Sequence, residues 1–584
     1  MPAPIRSAIA IAVVFAGLFA AVTSRAADEP ATLILHGGKI ASVDRDFSIH
    51  EAIAVRGDKI VRLGKNADIL ALRGKDTEVV DLAGKLVLPG LIDSHTHPNS
   101  AAMHEFDHPI PDMETIADVL AYVRSRAKTL GPGKWIVVRQ VFITRLREQR
   151  YPTRAELDAA APENPVLFST GPDASVNSLA LKLSGIGKDF QVTGAGYVER
   201  DATGEPTGIL RSCTRYVKAE SSGKPASEED RIRRLLELFA DYHSVGITSI
   251  ADRDADGSAL DRYRALNAAG KLSIRVAVSR SLDPSAALDD ITKRLAALAA
   301  DPLAISSPKT RDGRLRIVGV KCYLDGGMLT GSAYMREPWG VSDIYSIRDP
   351  NYRGVLMIER ERLLPIVRAT VENGLQFTAH SVGDGACATL LDVYAKVNES
   401  APVAKTRPCL THANFLGRDL VDQMASLGVV ADIQPAWLYL DAHTLAAQFG
   451  ELRLRYFQPL ASLFERGVVV GGGSDHMQKI GSLRSVNPYN PFLGMWVAAT
   501  RQSKHRDRPL YREEALSREQ AIRFYTANNA YLTFRENEIG SLEPGKLADL
   551  IVLDTDLLTC EADKMRDAKV LRTYLDGRLV YEAK

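Results

Sequence analysis

Gly90-Leu91-Ile92-Asp93-Ser94-His95-Thr96-His97 is an apolar strand that runs into two histidines one residue apart. Alternate side chains of an extended chain share a face, so His95 and His97 point the same way and can grip one cation at about 2.0–2.1 Å. Asp93 lies on that face too, placed to support a ligand from behind. The strand itself is read as Leu86 to Asp93.

Working outward, the same kind of apolar run recurs at Gly246 to Ala251, Ile274 to Ser279, Arg316 to Leu324, Gln376 to Ala379, Pro408 to Thr411, Val429 to Gln434 and Gly467 to Gly472. Helical stretches such as Asp230 to Ser244, Ala286 to Ala300 and Leu363 to Asn373 separate them. Strands alternating with helices predict a parallel sheet, and eight such units predict a distorted (β/α)8 TIM barrel over 89–537. The stretch at about 98–230 is too long for one helix and carries its own strand signals, Trp135 to Val141 and Pro165 to Ser169, so it is read as an insertion over one rim. His104 and His108 fall in it, either lining the mouth or exposed. Short alternating strands at 28–88 and 538–584, with Asp576-Gly577 as a hairpin turn, predict one composite β-sandwich built from both ends of the chain.

Functional groups of such barrels sit at the C-terminal ends of the strands. His380 closes one strand, His412 the next, and Asp475 follows Gly471-Gly472-Gly473-Ser474 after the last. Together with His95 and His97 they form a metal-ligand set. Lys321 stands in Val318-Gly319-Val320-Lys321-Cys322-Tyr323-Leu324-Asp325. An ammonium beside a cation is electrostatically penalised, and burial favours the neutral amine, which can react with carbon dioxide to give a bridging carbamate. The other reading is a cationic Lys321 paired with Asp325 or Asp475 beside a single ion. The candidate substrate-lining residues are Tyr323 and Asp325 after strand four, Asp173 and Asn177 in the insertion, Trp437 and Tyr439 after strand seven, and His476 and Met477 after strand eight.

The 584 residues exceed what one core holds, while 45% apolar and 25% charged residues exclude a disordered or fibrous chain. With 73 Lys and Arg against 72 Asp and Glu, no polyanion-binding surface is implied and nucleic acid is excluded as an expected partner. Five cysteines without C-x-x-C spacing argue against a disulfide framework or a thiolate zinc site. Arg6, an uncharged run from Ala8 to Val22 and Ser24-Arg25-Ala26 read as a cleaved signal peptide over 1–26. The run is shorter than the ~20 residues of a membrane span, so an exported, periplasmic protein with no membrane association after cleavage is expected; a retained anchor is the alternative. The partner is a small-molecule substrate, and a homo-oligomer is left open.

His95-Thr96-His97, Lys321, His380, His412 and Asp475, in that order along a barrel, resemble the amidohydrolase superfamily. Lys321 through Asp325-Gly326-Gly327, Ala379-His380-Ser381-Val382-Gly383-Asp384 and Gly473-Ser474-Asp475 are similar to its family 3, the YtcJ-like group that includes N-substituted formamide deformylases. Gly540-Ser541-Leu542-Glu543-Pro544-Gly545-Lys546-Leu547-Ala548-Asp549-Leu550 resembles the strand that returns to that family's sandwich. The resemblance implies a metal-dependent hydrolase of a non-peptide C–N bond. His95, His97 and Asp475 would hold one divalent ion, His380 and His412 a second, most simply zinc, with carbamylated Lys321 between them and Asp475 as the catalytic proton carrier. Two departures fall near the substrate: Gly171-Pro172-Asp173-Ala174-Ser175-Val176-Asn177-Ser178 lacks the histidine many relatives carry, and His476-Met477 replaces small residues and proline. An esterase or lactonase, a deaminase, and a catalytically silent binding or regulatory protein are the alternatives. Ser381-Val382-Gly383-Asp384 after His380, in place of a glutamate, speaks against deamination, and the complete ligand set speaks against a silent scaffold.

Overall fold

The structure is a computed structural model describing residues 29–139, 141–307 and 313–584. The expected signal peptide lies outside the described residues. At the centre is an eight-stranded sheet in chain order, each strand parallel to its neighbours: β1 Leu91–Thr96, β2 Ile247–Ala255, β3 Arg275–Ser281, β4 Leu315–Tyr323, β5 Gln376–Ser381, β6 Cys409–His412, β7 Val430–Ile433 and β8 Val470–Gly472. All eight apolar runs expected to form the barrel contribute a strand to it. These strands are buried along most of their length, so their apolar residues do not alternate with exposed polar ones as in a half-buried sheet. The seam between β8 and β1 is held past the strand ends. Asp475 N donates to His95 O (2.8 Å), His97 N donates to His476 O (2.8 Å), and Asn529 Nδ2 donates to both Ile92 O and Gly472 O. That closure brings Asp475 against the two histidines of β1.

The first strand differs from the sequence reading. The apolar run from Leu86 is cut at Gly90: Leu86–Pro89 belongs to an outer sheet, and only Leu91–Thr96 enters the barrel. Gly90 N donates to Asp549 O at the cut, and a Cβ on Gly90 would lie 2.2 Å from Thr248 Oγ1, so no larger residue fits that crossing.

The outer sheet has six strands in the order Arg578–Glu582, Val570–Leu575, Leu550–Leu553, Leu86–Pro89, Lys39–Ala41 and Ile49–His50, so both ends of the chain share it. A second sheet, Lys59–Gly64, Ala52–Arg56, Ala31–His36 and Arg73–Asp81, packs on it. Alternation explains the packing. Leu33 and Leu35 join Val87, Leu550 and Val552 between the sheets, while Ile34 turns the other way against Ala52, Ala54 and Ile69. In the insertion, Ile136–Arg139, Val166–Ser169, Ala174–Val176, Pro206–Arg211 and Tyr197–Arg200 form a five-stranded sheet in that spatial order.

Helix Glu228–Ser244 shows how a barrel helix serves the site. Ser227 and Asp230 form a capping box at its start, and Leu235, Leu238, Phe239 and Tyr242 recur at helical spacing on its buried face. Each such side chain contributes about 1.5–3 kcal/mol on leaving water. Tyr242 continues inward and its hydroxyl lies 2.8 Å from His476 Nδ1. Among the described residues no helix is long and apolar enough to cross a membrane, and the five cysteines are unbridged.

Candidate metal centre

His95 Nε2 and His97 Nε2 lie 3.2 Å apart at the end of β1, and Asp475 Oδ1 lies 3.4 Å from the first and 3.2 Å from the second. The period of two sends Thr96 the other way, where its hydroxyl donates to Ala251 O. Among the described residues these three form the one group of His, Cys, Asp or Glu side chains close enough to share an ion. The donor set fits a divalent cation: two imidazole nitrogens and a carboxylate oxygen face one point, and His95 is buried. Burial, then the charge of Lys321, holds His95 well below the usual imidazole range. Burial also acts downward on His97, but the hydrogen bond and charge of Asp475 outweigh it and raise its pKa.

Behind the triad stands a residue absent from the sequence reading. Asp432, in β7, places Oδ1 3.1 Å from His95 Nδ1, so the carboxylate accepts a hydrogen bond from Nδ1–H and leaves the Nε2 lone pair facing Asp475. Its Oδ2 lies 3.1 Å from Nε of the fully buried Arg253 and accepts from Thr411 Oγ1. Gln434 Nε2 donates to Asp432 Oδ1, which turns Gln434 Oε1 toward His412 Nδ1, 2.7 Å away. His412 is thereby oriented in the same manner. Asp93, expected to support a ligand from behind, does so through the backbone: its Oδ1 accepts from the amides of His95 and Ser474 and ties β1 to the loop carrying Asp475.

The His412 ring stacks between His95 (4.9 Å between centroids) and Trp437 (4.6 Å), with His380 edge-on at 4.5 Å. His380 Nε2 is 3.3 Å from Gly326 O, and its pKa is pushed down to about 3 by burial and then by Lys321. Lys321 itself is 1% exposed, its Nζ 5.2 Å from the centre of the Tyr323 ring. Burial lowers its pKa against the opposing pull of Asp254, Asp432 and Asp475. Tyr323 is 40% exposed at the mouth and donates its hydroxyl to Asp254 Oδ2 at 3.0 Å. Asp254 Oδ1 is out of solvent contact with no partner among the described residues. The apolar run in the sequence ends at Ala251, but the strand continues to Ala255, which is how Arg253 and Asp254 come to reach the barrel interior and mouth.

Several expected lining residues hydrogen-bond to the scaffold, Asp325 among them although its Oδ1 is also 3.8 Å from His380 Nε2. Asp325 is buried and accepts from the amides of Tyr334, Val382 and Gly383, which fixes the loop after β4 against that after β5. Asp173 is buried and accepts from Ser212 N and Ser332 Oγ. Asn177 caps helix Ser178–Ser184, its Oδ1 accepting from Val166 N and Ala180 N. His476 is buried between Tyr242 and the carbonyls of Gln478 and Lys479. Tyr439 lines a different cavity, described below, with its ring 5.9 Å from Trp496. Met477, two residues after Asp475, is half-buried. Of the expected lining residues, Tyr323 and Trp437 have rings against the candidate ligands.

The model of the amidohydrolase family matches residues 78–581. The chain belongs to the amidohydrolase family. It is 30% identical to N-substituted formamide deformylase of Arthrobacter pascens over 94% of this chain and 98% of that protein. It is 25% identical to putative amidohydrolase YtcJ of Bacillus subtilis over 94% of this chain and 99% of that one. Among solved structures, an uncharacterized metal-dependent hydrolase of Pyrococcus horikoshii superposes with a TM-score of 0.64 at 22% identity, covering 91% of this chain and 99% of that chain, a likeness of fold. The family likeness thus rests on nearly the whole chain, with the His-x-His strand and the Asp475 loop both inside the matched span.

Proposed function

We propose that this amidohydrolase hydrolyses a non-peptide C–N bond of a small molecule, an N-acyl or N-formyl compound, with divalent cations as cofactor. The carrying observation is the triad His95, His97 and Asp475, with His95 held by Asp432 in the tautomer that presents Nε2. His95, His97 and Asp475 would hold one ion, and His380 and His412 a second. Lys321, buried and favoured toward its neutral amine, would join the two sites as a carbamate. Imidazole and carboxylate donors suit zinc. Divalent cations, if held by these residues, would supply an acidified water and a Lewis acid for a carbonyl oxygen.

The chain's own groups do the rest. Asp475, between the two β1 histidines, accepts the proton of the attacking water and returns it to the leaving nitrogen. Tyr323 and Asp254 border the mouth, where the hydroxyl orients the entering substrate. The similarity to a formamide deformylase over 98% of that protein supports an N-acyl bond as the target. The test is turnover by the metal-loaded protein on amide, formamide, ester and cyclic-amide panels, followed by amine release. Cleavage of amides or formamides is expected; ester hydrolysis alone would move the reading to an esterase, and ammonia release from purine or pyrimidine bases to a deaminase.

We also infer export to the periplasm from the charged start and apolar run before Ala26. N-terminal sequencing of the mature protein beginning at Ala27 is the expected result, and an intact Met1 in the cytoplasm would reject it.

A further inference from the structure

A cavity of about 1070 Å³ opens between the insertion, helix Pro435–Phe449 and the loop after β8. None of the six candidate ligands lines it. Its wall carries seven Arg and Lys side chains against three carboxylates, in a chain whose formal net charge is only +1. Four of the seven are engaged: Arg145 with Asp441, Lys479 with Asp112, Arg484 with Glu105, and Arg566 next to Asp567. Arg139, Arg147 and Lys504 are exposed, and their side chains have no hydrogen-bond or ion-pair partner among the described residues. Three separate segments deliver them: the first strand of the insertion sheet, the loop behind it, and the segment after helix Pro491–Thr500. Glu114 is the one exposed carboxylate on the wall without a partner of its own among the described residues. His104 adds a ring whose two nitrogens are both shielded from solvent and unpartnered. Burial keeps that ring neutral, so one nitrogen carries an N–H in need of an acceptor.

We propose that this cavity is a binding site for a small organic molecule bearing an oxyanion, carboxylate or phosphate, separate from the metal centre. A concave wall with an excess of one sign focuses the field inside, so the three unpaired cations, set against the single unpaired Glu114, attract an anion more strongly than the same groups on a convex face. Guanidinium and ammonium groups are the natural donors to such oxygens, and the volume is that of a small-molecule site. Helix Pro435–Phe449 separates the two sites: Trp437 stacks on His412, while Tyr439 and His443 face the cavity. Arg145 links them, because its guanidinium holds Asp441 of that helix and Asn487, whose amide donates to the carbonyl of Asp475.

Calorimetric titration of the metal-loaded full chain with succinate and with inorganic phosphate tests this, since binding is read without any turnover. At least one of the two is expected to bind. The affinity should fall with added salt, and by about tenfold or more in the Arg139→Ala/Arg147→Ala/Lys504→Ala variant, as removal of three charge-assisted contacts requires. Which probe binds identifies the class of oxyanion. The three side chains are exposed, so the variant keeps the wild-type melting temperature; Lys504→Glu alone, reversing one charge, should weaken binding in the same direction. If the wild type binds neither probe, or the triple variant binds as tightly as wild type and so places the anions on the metals, the proposal is overturned. Its failure leaves the hydrolase reading untouched.

Discussion

Asp432 Oδ1 lies 3.1 Å from His95 Nδ1, and the opposite oxygen of the same carboxylate lies 3.1 Å from the guanidinium of Arg253. One buried acid therefore sets the tautomer of a candidate ligand and neutralises the cation inside the barrel. Asp432→Asn should weaken zinc binding by about 10–100-fold, as losing such a partner of a ligating histidine does. It should also destabilise the fold by about 3–5 kcal/mol, because Arg253 stays buried without its counter-charge. Competition with a chelator and urea unfolding measure the two effects; unchanged zinc affinity would reduce Asp432 to a partner of Arg253.

Lys321 is buried beside the Tyr323 ring with three carboxylates pulling against its desolvation. Lys321→Ala should lose one of two metals and most activity, with partial rescue by short carboxylic acids that replace the carbamate oxygens. Metal analysis decides the point: a variant that keeps both ions refutes the bridge.

Asn177 closes a helix with its side chain and has no contact with the candidate ligands among its hydrogen bonds. Asn177→Ala should cost about 1–2 kcal/mol of stability, the usual loss of an N-cap, and leave KM within about twofold of wild type. A KM raised tenfold with stability unchanged would return Asn177 to the substrate pocket.

His243 is buried, with Nδ1 3.0 Å from Ile247 O and Nε2 2.9 Å from Ser273 O, and burial lowers its pKa. The unfolded chain therefore takes up a proton near pH 6.5 before the folded chain does. The stability this residue supplies is fully present above about pH 6.5 and is lost as pH falls through the folded value, at up to ~1.4 kcal/mol per unit. Urea midpoints of wild type and His243→Gln, compared at about pH 7.5 and pH 5, should converge in acid. A constant difference would show that the ring does not titrate differently on folding.

Most of the architecture was legible because barrel strands are buried on both faces and announce themselves as apolar runs. Leu86 to Asp93 misled for the same reason: its apolar character continues through Gly90 although Leu86–Pro89 and Leu91–Thr96 serve different sheets. Arg253, Asp254 and Asp432 were harder. Charges normally mark a strand's end, yet inside this barrel Arg253 of β2 and Asp432 of β7 neutralise each other, a long-range pairing that no local pattern reveals. Conversely, Asp173, Asn177, Asp325 and His476 look like site residues in sequence, since a polar side chain that satisfies buried backbone groups has the same chemistry as one that binds a ligand.

The most direct test of a metal-dependent C–N hydrolase is amine release from an N-formyl or N-acyl substrate by chelator-stripped protein as zinc is returned. The expected result is no turnover without metal, a rate that rises with zinc and saturates at about two equivalents per chain, and none at any loading in Asp475→Ala. Turnover that is as fast in the stripped protein as in the loaded one, or as fast in Asp475→Ala as in wild type, would contradict it.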